Sequence, residues 1–467
     1  LRADRQPEFT QIDVELSFAT QEQVLQKMVG LVKHVFRTAL SVELPQDTPR
    51  LTWQQAMDLY GSDKPDLRFD MPIVDMTDLM AGCPFSVFRR AVDAGGAVRG
   101  LTIPGGASLP RTAIEALTEK AAGYGAAGMA WIAVRDGGEP YSILTKYFSD
   151  GEMAAIIERA GARPGDFILF CADQLPTVRR VLGGLRLDVA DMLDLRREGE
   201  YRLLLVTDFP QFEYSQEEGR FVAAHHPFTM PHPEDLPYLQ SDPARVRSQA
   251  YDIVLNGVEL GSGSIRIHSR DVQRRMFDAL GLPADEIERR FGFMLRALSY
   301  GTPPHGGFAL GLDRLVMLML DADSMREVIA FPKIKDASCP MTAAPDGVDE
   351  KQLADLNIRA GAEKAARKAA RQQASGGIDV AHVARLAQLH LTPDEEAAMA
   401  RDLGAIVAFA DQLQKIDTRD VPPTAHVAPS SNVFRADRPA PSMDRDALLA
   451  LAPAVREGCV YVPRTVE

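Results

Sequence analysis

The first forty residues carry two clear hydrophobic patterns. Residues 8–18 alternate strictly, with apolar side chains at every second position from Ile12 to Phe18 and polar ones between them. This period of two predicts a strand with one buried face. Residues 21–40 have apolar positions at helical spacing, which predicts an amphipathic helix whose buried stripe comprises Val24, Met28, Leu31, Val32 and Val35.

A second strand pattern contains a turn signal. Residues 251–255 and 258–268 are strand-like, and the Asn256-Gly257 dipeptide between them is typical of a type I′ turn. Such a turn predicts three cross-strand pairs: Leu255 with Val258, Val254 with Glu259, and Asp252 with Gly261.

This register gives Asp252 and Glu259 one face, as diagonal neighbours roughly 7 Å apart. The two carboxylates could hold a divalent cation, or they could be solvated on an exposed sheet face. Strict alternation would turn Arg266 to the other face. We predict a β-bulge in Gly261-Ser262-Gly263 that reverses the alternation and brings Arg266 beside the carboxylates.

Residues 306–320 begin glycine-rich and continue into an apolar helix with Arg314 in its first turn. The N-terminus of a helix favours anions, so the helix dipole does not explain this cation. A guanidinium and helix amides could converge there on a phosphate. The alternative is a buried helix with a surface arginine, preceded by a glycine turn.

The pattern also divides the chain. Residues 67–205 have strand and helix patterns of their own, including a helix at 113–122 and a strand at 166–171, and the strand at 202–207 resumes the earlier style. We therefore expect domain segments at 1–66, 67–205, 206–350, 351–377 and 378–467.

The last third of the chain has weaker patterns. Residues 359–373 predict an alanine-rich helix with a cationic stripe, which either lies along an RNA backbone or is a solvated linker. Thr392 and Glu395 predict a capping box before a helix whose apolar stripe comprises Met399, Leu403, Ile406, Ala410 and Leu413. Residues 417–443 are proline-rich, so they either wrap a partner or are disordered.

Composition excludes several classes of protein. No apolar run approaches the roughly 20 residues that span a bilayer, and the four cysteines are too widely spaced for a zinc or disulfide framework. We expect a cytoplasmic protein with reduced thiols. The net charge of −13 gives no support for RNA binding, but it does not exclude a local basic face. The chain opens on Leu1 and becomes strand-like almost at once, so we expect its natural N-terminus upstream.

One further motif completes a site. His225-His226-Pro227-Phe228-Thr229 places two imidazoles in a short loop before the hairpin. A histidine pair alone is more often structural. Together with the carboxylate pair, Arg266 and the glycine-rich helix start, it suits a site for a small zwitterion and a metal-bound nucleotide.

These segments together resemble the bacterial aspartyl-tRNA synthetases, which are class II enzymes. Residues 1–18 look like the later part of the second signature motif of that class, and 306–320 look like its third. The segment 67–205 resembles the extra domain of bacterial members. The resemblance covers about residues 1–350 and implies an α+β fold, with a class II antiparallel sheet, flanking helices and an α+β insertion domain.

The resemblance implies roles for single residues. Arg314 and Glu259 would act on the reacting groups, and His225 and Arg266 would hold aspartate, with the guanidinium pairing its side-chain carboxylate. Asp252 and Glu259 would bind Mg²⁺. ATP contacts would come from Gln6, Glu259, Gly311, Leu312, Asp313 and Arg314, and Gln11 and Asp13 are further candidates.

The implied activity is that of an AMP-forming aspartate–tRNA ligase. The α-carboxylate of aspartate attacks the α-phosphorus of ATP, pyrophosphate leaves, and the 3′-terminal hydroxyl of the tRNA then takes the aspartyl group. Positioning and charge neutralisation carry such a reaction, and no side-chain nucleophile is needed. The resemblance leaves open whether tRNA(Asp) alone or also tRNA(Asn) is charged, and it implies a homodimeric full-length parent.

Residues 378–467 resemble a different family, the small C subunit of the aspartyl/glutamyl-tRNA amidotransferases. The resemblance rests on the opening helices and on residues 423–427, 431–434 and 462–467. It implies a helical and extended clamp, with the amidase and tRNA-binding subunits as partners. Fusion would tether a charging and an amidating enzyme at high effective concentration. A natural fusion and two reading frames merged during sequence assembly both remain open.

The chain also departs from the class II pattern. It starts after the second-motif strand that carries an ATP-binding arginine, after the first motif and after the anticodon-binding barrel. We therefore expect an active parent protein and a chain that is inactive alone. Two other functions remain open: a catalytically inactive scaffold for a tRNA amidation complex, and a tRNA-independent enzyme that activates aspartate to form an amide.

Overall fold

The computed structural model describes residues 5–357, 380, 392–410, 445–450, 455–456 and 459–460. They belong to two compact units, Leu1–Gly347 and Val348–Glu467.

A six-stranded sheet forms the frame of the first unit. Its order is β1-β13-β12-β11-β8-β2, and all neighbours are antiparallel except β2 and β8. The four central strands therefore come from residues 203–311, and the two edge strands, β1 and β2, come from the first 52 residues. The strands are β1 Gln11–Ser17, β2 Arg50–Thr52, β8 Leu203–Thr207, β11 Ala250–Leu255, β12 Val258–Ile265 and β13 His305–Gly311.

Two helices cover one face of this sheet, α1 Gln21–Val35 and α9 Leu312–Met319. The predicted amphipathic helix is confirmed by α1, which buries Val24, Met28 and Val32 and continues through a π-helical turn. Alternation in β1 is confirmed for Ile12, Val14 and Leu16, which pack against the same core. The prediction is wrong for Phe18, which follows the strand and is exposed. The opposite face is apolar over β8 and β11, where Leu204, Val206 and Val254 pack with Ala56, and polar over β1.

The hairpin of β11 and β12 has the predicted turn, with positive φ at both Asn256 (51°) and Gly257 (83°). Its register differs in one respect, because Asp252 pairs with Ser262 rather than with Gly261. The bulge lies at Leu260, just before the predicted stretch. Leu260 takes the extra position because its side chain is fully buried in the core.

A five-stranded antiparallel sheet, in the order β3-β4-β7-β5-β6, forms the insertion. Separate cores lie on its two faces. Its elements are β3 Ile73–Asp75, α3 Ser86–Asp93, β4 Ala97–Ile103, α4 Arg111–Gly123, β5 Ala130–Val134, β6 Pro140–Tyr141, α5 Asp150–Arg159, β7 Phe167–Asp173 and α6 Leu175–Met192. The expected boundary at residue 205 is wrong by a few residues, because it cuts β8, which pairs with β11 and β2 in the six-stranded sheet.

The remaining elements of the first unit surround the polar sheet face. They are α2 Trp53–Tyr60, the two-stranded ribbon of β9 Phe212–Ser215 and β10 Arg220–Ala223, α7 Arg270–Ala279 and α8 Ala284–Leu298.

In the second unit the described elements are α10 Glu350–Asp355, α11 Pro393–Ala410, α12 Arg445–Leu449 and a short antiparallel pair, β14 Val455–Arg456 and β15 Cys459–Val460. The predicted capping box is present. The Thr392 N–H donates to the Glu395 carboxylate (2.8 Å), and the Glu395 N–H donates to the Thr392 hydroxyl (3.4 Å). The predicted helix at 359–373, Leu413 and the segment 417–443 lie outside the described residues.

Candidate active site

The sheet face opposite α1 and α9 carries the predicted polar residues of β1. Gln11, Asp13 and Glu15 pair there with Gly311, Ala309 and Gly307 of β13. Because these three β13 residues have minimal side chains, the centre of the face stays open. At Gly307 a Cβ would collide with the backbone carbonyl oxygen of Val14, so only glycine fits.

The bulge at Leu260 has the predicted consequence. It reverses the alternation of β12, so Ser262, Ser264 and Arg266 lie on the same face as Glu259. Without the extra residue, Arg266 would point into the core beneath the sheet. The bulge therefore brings the carboxylate and the guanidinium to one surface.

A cleft of about 370 Å³ opens over this face where β1 and α9 begin. Five residues predicted from sequence to contact ATP line it together: Gln6, Glu259, Gly311, Asp313 and Arg314. Leu312, predicted with them, lies outside the lining, and its backbone N–H donates to the Thr10 carbonyl. The remaining lining residues are Arg5, Phe9, Gln11, Leu260, Gly261, Ser262, Ala309 and Met325.

The start of α9 is fixed by two hydrogen bonds. Arg314 Nη1 donates to the Glu259 carbonyl (2.7 Å), and the Thr10 N–H donates to Asp313 Oδ2 (2.7 Å). These bonds join α9 to β12 and to the segment before β1. Arg314 is therefore held at the cleft wall, and Asp313 serves to anchor the chain as well as to line the cleft.

Gln6 contributes a donor without a partner. Its side-chain oxygen accepts from the Lys333 N–H (2.8 Å), whereas its buried amide nitrogen has no hydrogen-bond partner among the described residues. A buried donor without a partner is costly. Beside a cleft, it is a group that a ligand can satisfy.

Among the cleft residues that were not predicted from sequence are Arg5 and Phe9. Phe9 is 58% exposed, which is unusual for an aromatic side chain. The sequence indicates Phe9 only as a single apolar residue within the polar stretch before β1. It gives the cleft a flat apolar surface beside the two arginines.

Arg266 lies at the centre of a second group of polar side chains on the same face. Its Nε and Nη2 donate to the Glu15 carboxylate (3.1 and 3.3 Å), and its Nη1 donates to the Ser264 hydroxyl (2.6 Å). The guanidinium is only 23% exposed. It is therefore held rigidly at one edge of the site.

The histidine beside Arg266 is His226, whose Nε2 lies 3.2 Å from Nη1, and the binding of aspartate by His225 stays a prediction. His225 instead packs edge-on against Phe209, because the two neighbours in the loop point in different directions. Burial lowers the pKa of both imidazoles, and for His226 the charge of Arg266 lowers it further. Both rings are therefore neutral near pH 7.

His226 faces donors on both sides of its ring. The Phe228 N–H points at Nδ1 (3.2 Å), and Arg266 Nη1 lies against Nε2. A neutral imidazole has only one acceptor nitrogen, so only one of these contacts is a hydrogen bond. If Nδ1 accepts, Nε2–H and Nη1–H face each other as two donors. A carboxylate could accept from both.

The predicted carboxylate pair is also close in space. Burial, and then the charges of Glu259 and Asp63, raise the pKa of Asp252 well above its usual range. Two carboxylates suit Mg²⁺, which takes one or two from a protein and fills its other positions with water and phosphate oxygens. In the parts of the chain that the structure describes, no group of three or more His, Cys, Asp or Glu side chains could hold a metal ion.

The loop 61–66 lies near Asp252 and His225, on the side of the site that the sequence predicts to bind the amino acid. Asp63 and Lys64 form an ion pair (2.9 Å), and the charges of both act on Asp252. With α2 and His225 this loop lines a second cleft of about 410 Å³. In the sequence this segment served only as a domain boundary, because nothing local showed which residues it would face.

The chain belongs to the class II tRNA synthetases (D, K and N), whose family model matches residues 1–335. A second family model, for the Glu-tRNAGln amidotransferase C subunit, matches residues 391–462. The mixed sheet-and-helix fold of the first unit and the C-terminal segment expected from the sequence are both confirmed by these matches.

The relatives are bacterial. An aspartate–tRNA(Asp/Asn) ligase of Moorella thermoacetica is 52% identical, over 79% of this chain and 61% of its own length. An aspartate–tRNA ligase of Ruminiclostridium cellulolyticum is 52% identical, over 77% of this chain and 60% of its own. The chain thus spans about three fifths of these curated relatives. A solved aspartyl tRNA synthetase of Entamoeba histolytica covers 73% of the chain and 46% of its own, at 14% identity and a TM-score of 0.34, which is too low to carry an argument.

Two further features of the structure bear on expectations from the sequence: the length and hydropathy of its helices, and the state of its cysteines. None of the helices in the described ranges is long and apolar enough to cross a bilayer. Cys83, Cys171 and Cys339 are buried free thiols.

Proposed function

We propose that the chain is part of an aspartate–tRNA ligase, which activates aspartate with ATP and transfers it to tRNA in the cytoplasm. The observation that carries this proposal is the cluster of Arg266, Ser264 and His226, in contact with one another on the same sheet face as the 370 Å³ cleft. A carboxylate site beside a nucleotide-sized cleft is what aspartate activation needs. The two bacterial relatives, both named aspartate–tRNA ligases, support the proposal.

ATP would occupy the cleft of about 370 Å³. The adenine ring would stack on Phe9, and the phosphates would pair with Arg314. The Gln6 amide would donate a hydrogen bond to the nucleotide. Gly311 and Ala309 leave the floor low enough for a flat ligand. The Glu259 side chain would contact the nucleotide from β12, while its backbone carbonyl accepts a hydrogen bond from Arg314 and holds it in place.

Aspartate would lie further along β12. Its side-chain carboxylate would take donors of Arg266 and His226, and Asp13 and Gln11 would receive the α-ammonium. An uncharged asparagine amide would set its own N–H donors against these donors, so we expect strong discrimination. The α-carboxylate would then point toward the α-phosphorus at the junction of the two clefts.

Asp252 and Glu259 would hold Mg²⁺. When bound, the ion would neutralise charge on the phosphates and on the departing pyrophosphate. In the reaction, a carboxylate oxygen of aspartate bonds to the α-phosphorus and the bond to the bridging oxygen breaks. Arg314 would stabilise the charge that develops on the phosphates, and Arg266 would hold the attacking molecule in position.

The second unit extends the proposal. Its match to the amidotransferase C subunit suggests docking to an amidase and a tRNA-binding subunit. The Moorella relative is named an aspartate–tRNA(Asp/Asn) ligase. Charging of tRNA(Asn) with aspartate would give such an assembly its substrate. We also propose that the full-length parent protein is a homodimer.

Aspartate-dependent exchange of labelled pyrophosphate into ATP tests the first step. The protein should be expressed from the complete coding sequence, with any residues encoded before Leu1. We expect exchange with aspartate and little with asparagine, and then aspartyl transfer to tRNA(Asp). Separate assays with tRNA(Asn) decide the range of tRNAs.

Each failure points to a named alternative. Exchange without transfer to any tRNA would contradict the ligase and favour the tRNA-independent amide-forming enzyme. No exchange, together with capture of the amidase subunit by the chain, would favour an inactive scaffold.

A further inference from the structure

We propose that helix α6 of the insertion positions the loop 61–66 at the amino-acid side of the active site, through a stripe formed by Arg179, Gly183 and Arg186. The link to aspartate rests on the proposed function, whereas the positioning itself is a claim about structure. The insertion would then be a structural part of the amino-acid site and not only an appended domain.

The first contact is between two backbones. A Cβ at Gly183 would lie 2.9 Å from the Gly61 carbonyl oxygen and 3.0 Å from that of Tyr60. A Cβ at Gly61, whose φ is +66°, would collide with the Arg179 carbonyl. Glycine is therefore required on both sides, and α6 rests directly on the start of the loop.

The second contact is a buried arginine one turn along the helix. Arg186 is 1% exposed, and its guanidinium donates to three backbone carbonyls, those of Asp66 (2.8 Å), Phe69 (2.9 Å) and Met71 (3.1 Å). It also lies over the Tyr60 and Phe69 rings, at 4.7 and 4.1 Å from their centres. One side chain thus fixes the chain just after the loop and the end of α2 just before it.

The third contact fixes α2 itself. Arg179 and Arg99 of the insertion, both nearly buried, share the Asp58 carboxylate at 2.7 and 2.8 Å. Arg179, Gly183 and Arg186 are spaced by four and three residues, so they lie on one face of α6. That face meets α2 and the loop along its length.

The loop carries chemistry between these two anchors. The charges of Asp63 and Lys64 reach the buried Asp252, and Asp63 also acts on His225. The end of the loop is pinned from the other side as well, because Asp66 packs against Gly257 in the hairpin turn, where a Cβ would lie 3.1 Å from that of Asp66. A shift of α6 would therefore move Asp63 and Lys64 relative to Asp252.

The test compares two glycines of α6. Gly183→Ala pushes the loop, whereas Gly184→Ala is equally crowded, at 2.6 Å from the Tyr124 ring, but faces the interior of the insertion. Hydrogen exchange of the amides at 61–66 measures loop order in the full chain. Calorimetry measures the Kd of a non-hydrolysable ATP analogue alone, and the Kd of aspartate in its presence.

For Gly183→Ala we expect exchange at 61–66 to become about tenfold faster, aspartate binding to weaken about tenfold, and nucleotide binding to change less than twofold. Gly184→Ala should alter neither the loop nor the two affinities. Arg186→Met should act like Gly183→Ala but more strongly. If it does not fold, Gly183→Ala decides.

The results separate the two proposals. These measurements use the protein expressed from the complete coding sequence. If this protein without substitutions binds no aspartate but Gly183→Ala still loosens the loop, the proposed function fails and the positioning stands. If Gly183→Ala leaves loop exchange unchanged, or weakens nucleotide and aspartate binding equally, the positioning role is overturned. Equal loop effects of the two alanine variants would overturn it too.

Discussion

The two halves of the candidate site are built differently. The nucleotide half lies on β1, β12 and β13, which pair directly, and its floor is small residues and backbone. The amino-acid half adds the loop 61–66 and the histidine loop, and its charged groups already pair with each other, as in Arg266 with Glu15 and Asp63 with Lys64. Aspartate must take partners away from these pairs, so we expect this half to be the more sensitive to single substitutions.

The strongest test of that difference is Arg266→Leu. Removing the guanidinium leaves Glu15 without its partner and aspartate without its main donor. Such truncations cost roughly 2–5 kcal/mol, so kcat/KM for aspartate in pyrophosphate exchange should fall about 10³-fold while the KM for ATP changes little. Arg290→Leu, which breaks an exposed ion pair with Glu286 on α8, is the control and should change neither value.

Glu259→Gln tests the residue shared by both halves. Its carbonyl holds Arg314, and its carboxylate faces Asp252. We expect exchange to fall about 10²-fold and the Mg²⁺ concentration for half-maximal rate to rise. Glu218→Gln, at an exposed ion pair with Arg220, should leave the Mg²⁺ dependence unchanged. An unaltered Mg²⁺ requirement in Glu259→Gln would contradict its role as a metal ligand.

Phe9→Ala should affect only the nucleotide half. Loss of stacking on a base costs roughly 1–3 kcal/mol, so the KM for ATP should rise about tenfold while that for aspartate stays within twofold. Phe18→Ala is matched to it, because Phe18 is also exposed but lies at the other end of β1. A rise in both KM values for Phe9→Ala would show that the two halves are not separate.

A smaller effect is expected at a pair outside both halves. The hydrogen bond from His232 to Asp208 (2.7 Å) lowers the pKa of Asp208, although burial opposes it. A carboxylate whose pKa is lower in the folded state stabilises the fold at pH values above its unfolded-state pKa, which is about 3.9. This stabilisation is lost as the pH falls through the folded-state pKa.

Asp208→Asn should therefore be less stable than the unsubstituted chain at pH 7, with a difference that narrows as pH falls below about 4. Denaturant unfolding at pH 7 and at a pH below about 4 measures the difference in unfolding free energy between the two proteins. A gap that stays constant would contradict the assignment. Both substrate affinities at pH 7 should be unchanged.

Local patterns predicted most of the frame. Alternation predicted β1, helical spacing predicted α1, and Asn256-Gly257 predicted the turn, because each depends on neighbouring residues. The need to bring Arg266 to the face of Glu259 predicted a bulge. Its position at Leu260 was not predictable from the glycines, because it is decided by which side chain fits the core.

Other parts of the site depend on distant contacts. Adjacent histidines look alike in a sequence, and only the packing of Phe209 against His225 turns His226 toward Arg266. Asp63 and Lys64 face Asp252 because α6, far away in the sequence, holds their loop. Phe9 was overlooked because one exposed aromatic residue in a loop has no periodicity.

The most direct test of the central claim uses the protein expressed from the complete coding sequence. Calorimetry measures the binding of aspartate and of asparagine to this protein with a non-hydrolysable ATP analogue and Mg²⁺ present. The account predicts that aspartate binds at least about 10²-fold more tightly than asparagine and that Arg266→Leu removes this preference. Equal binding of the two amino acids, or a preference that survives in Arg266→Leu, would contradict it.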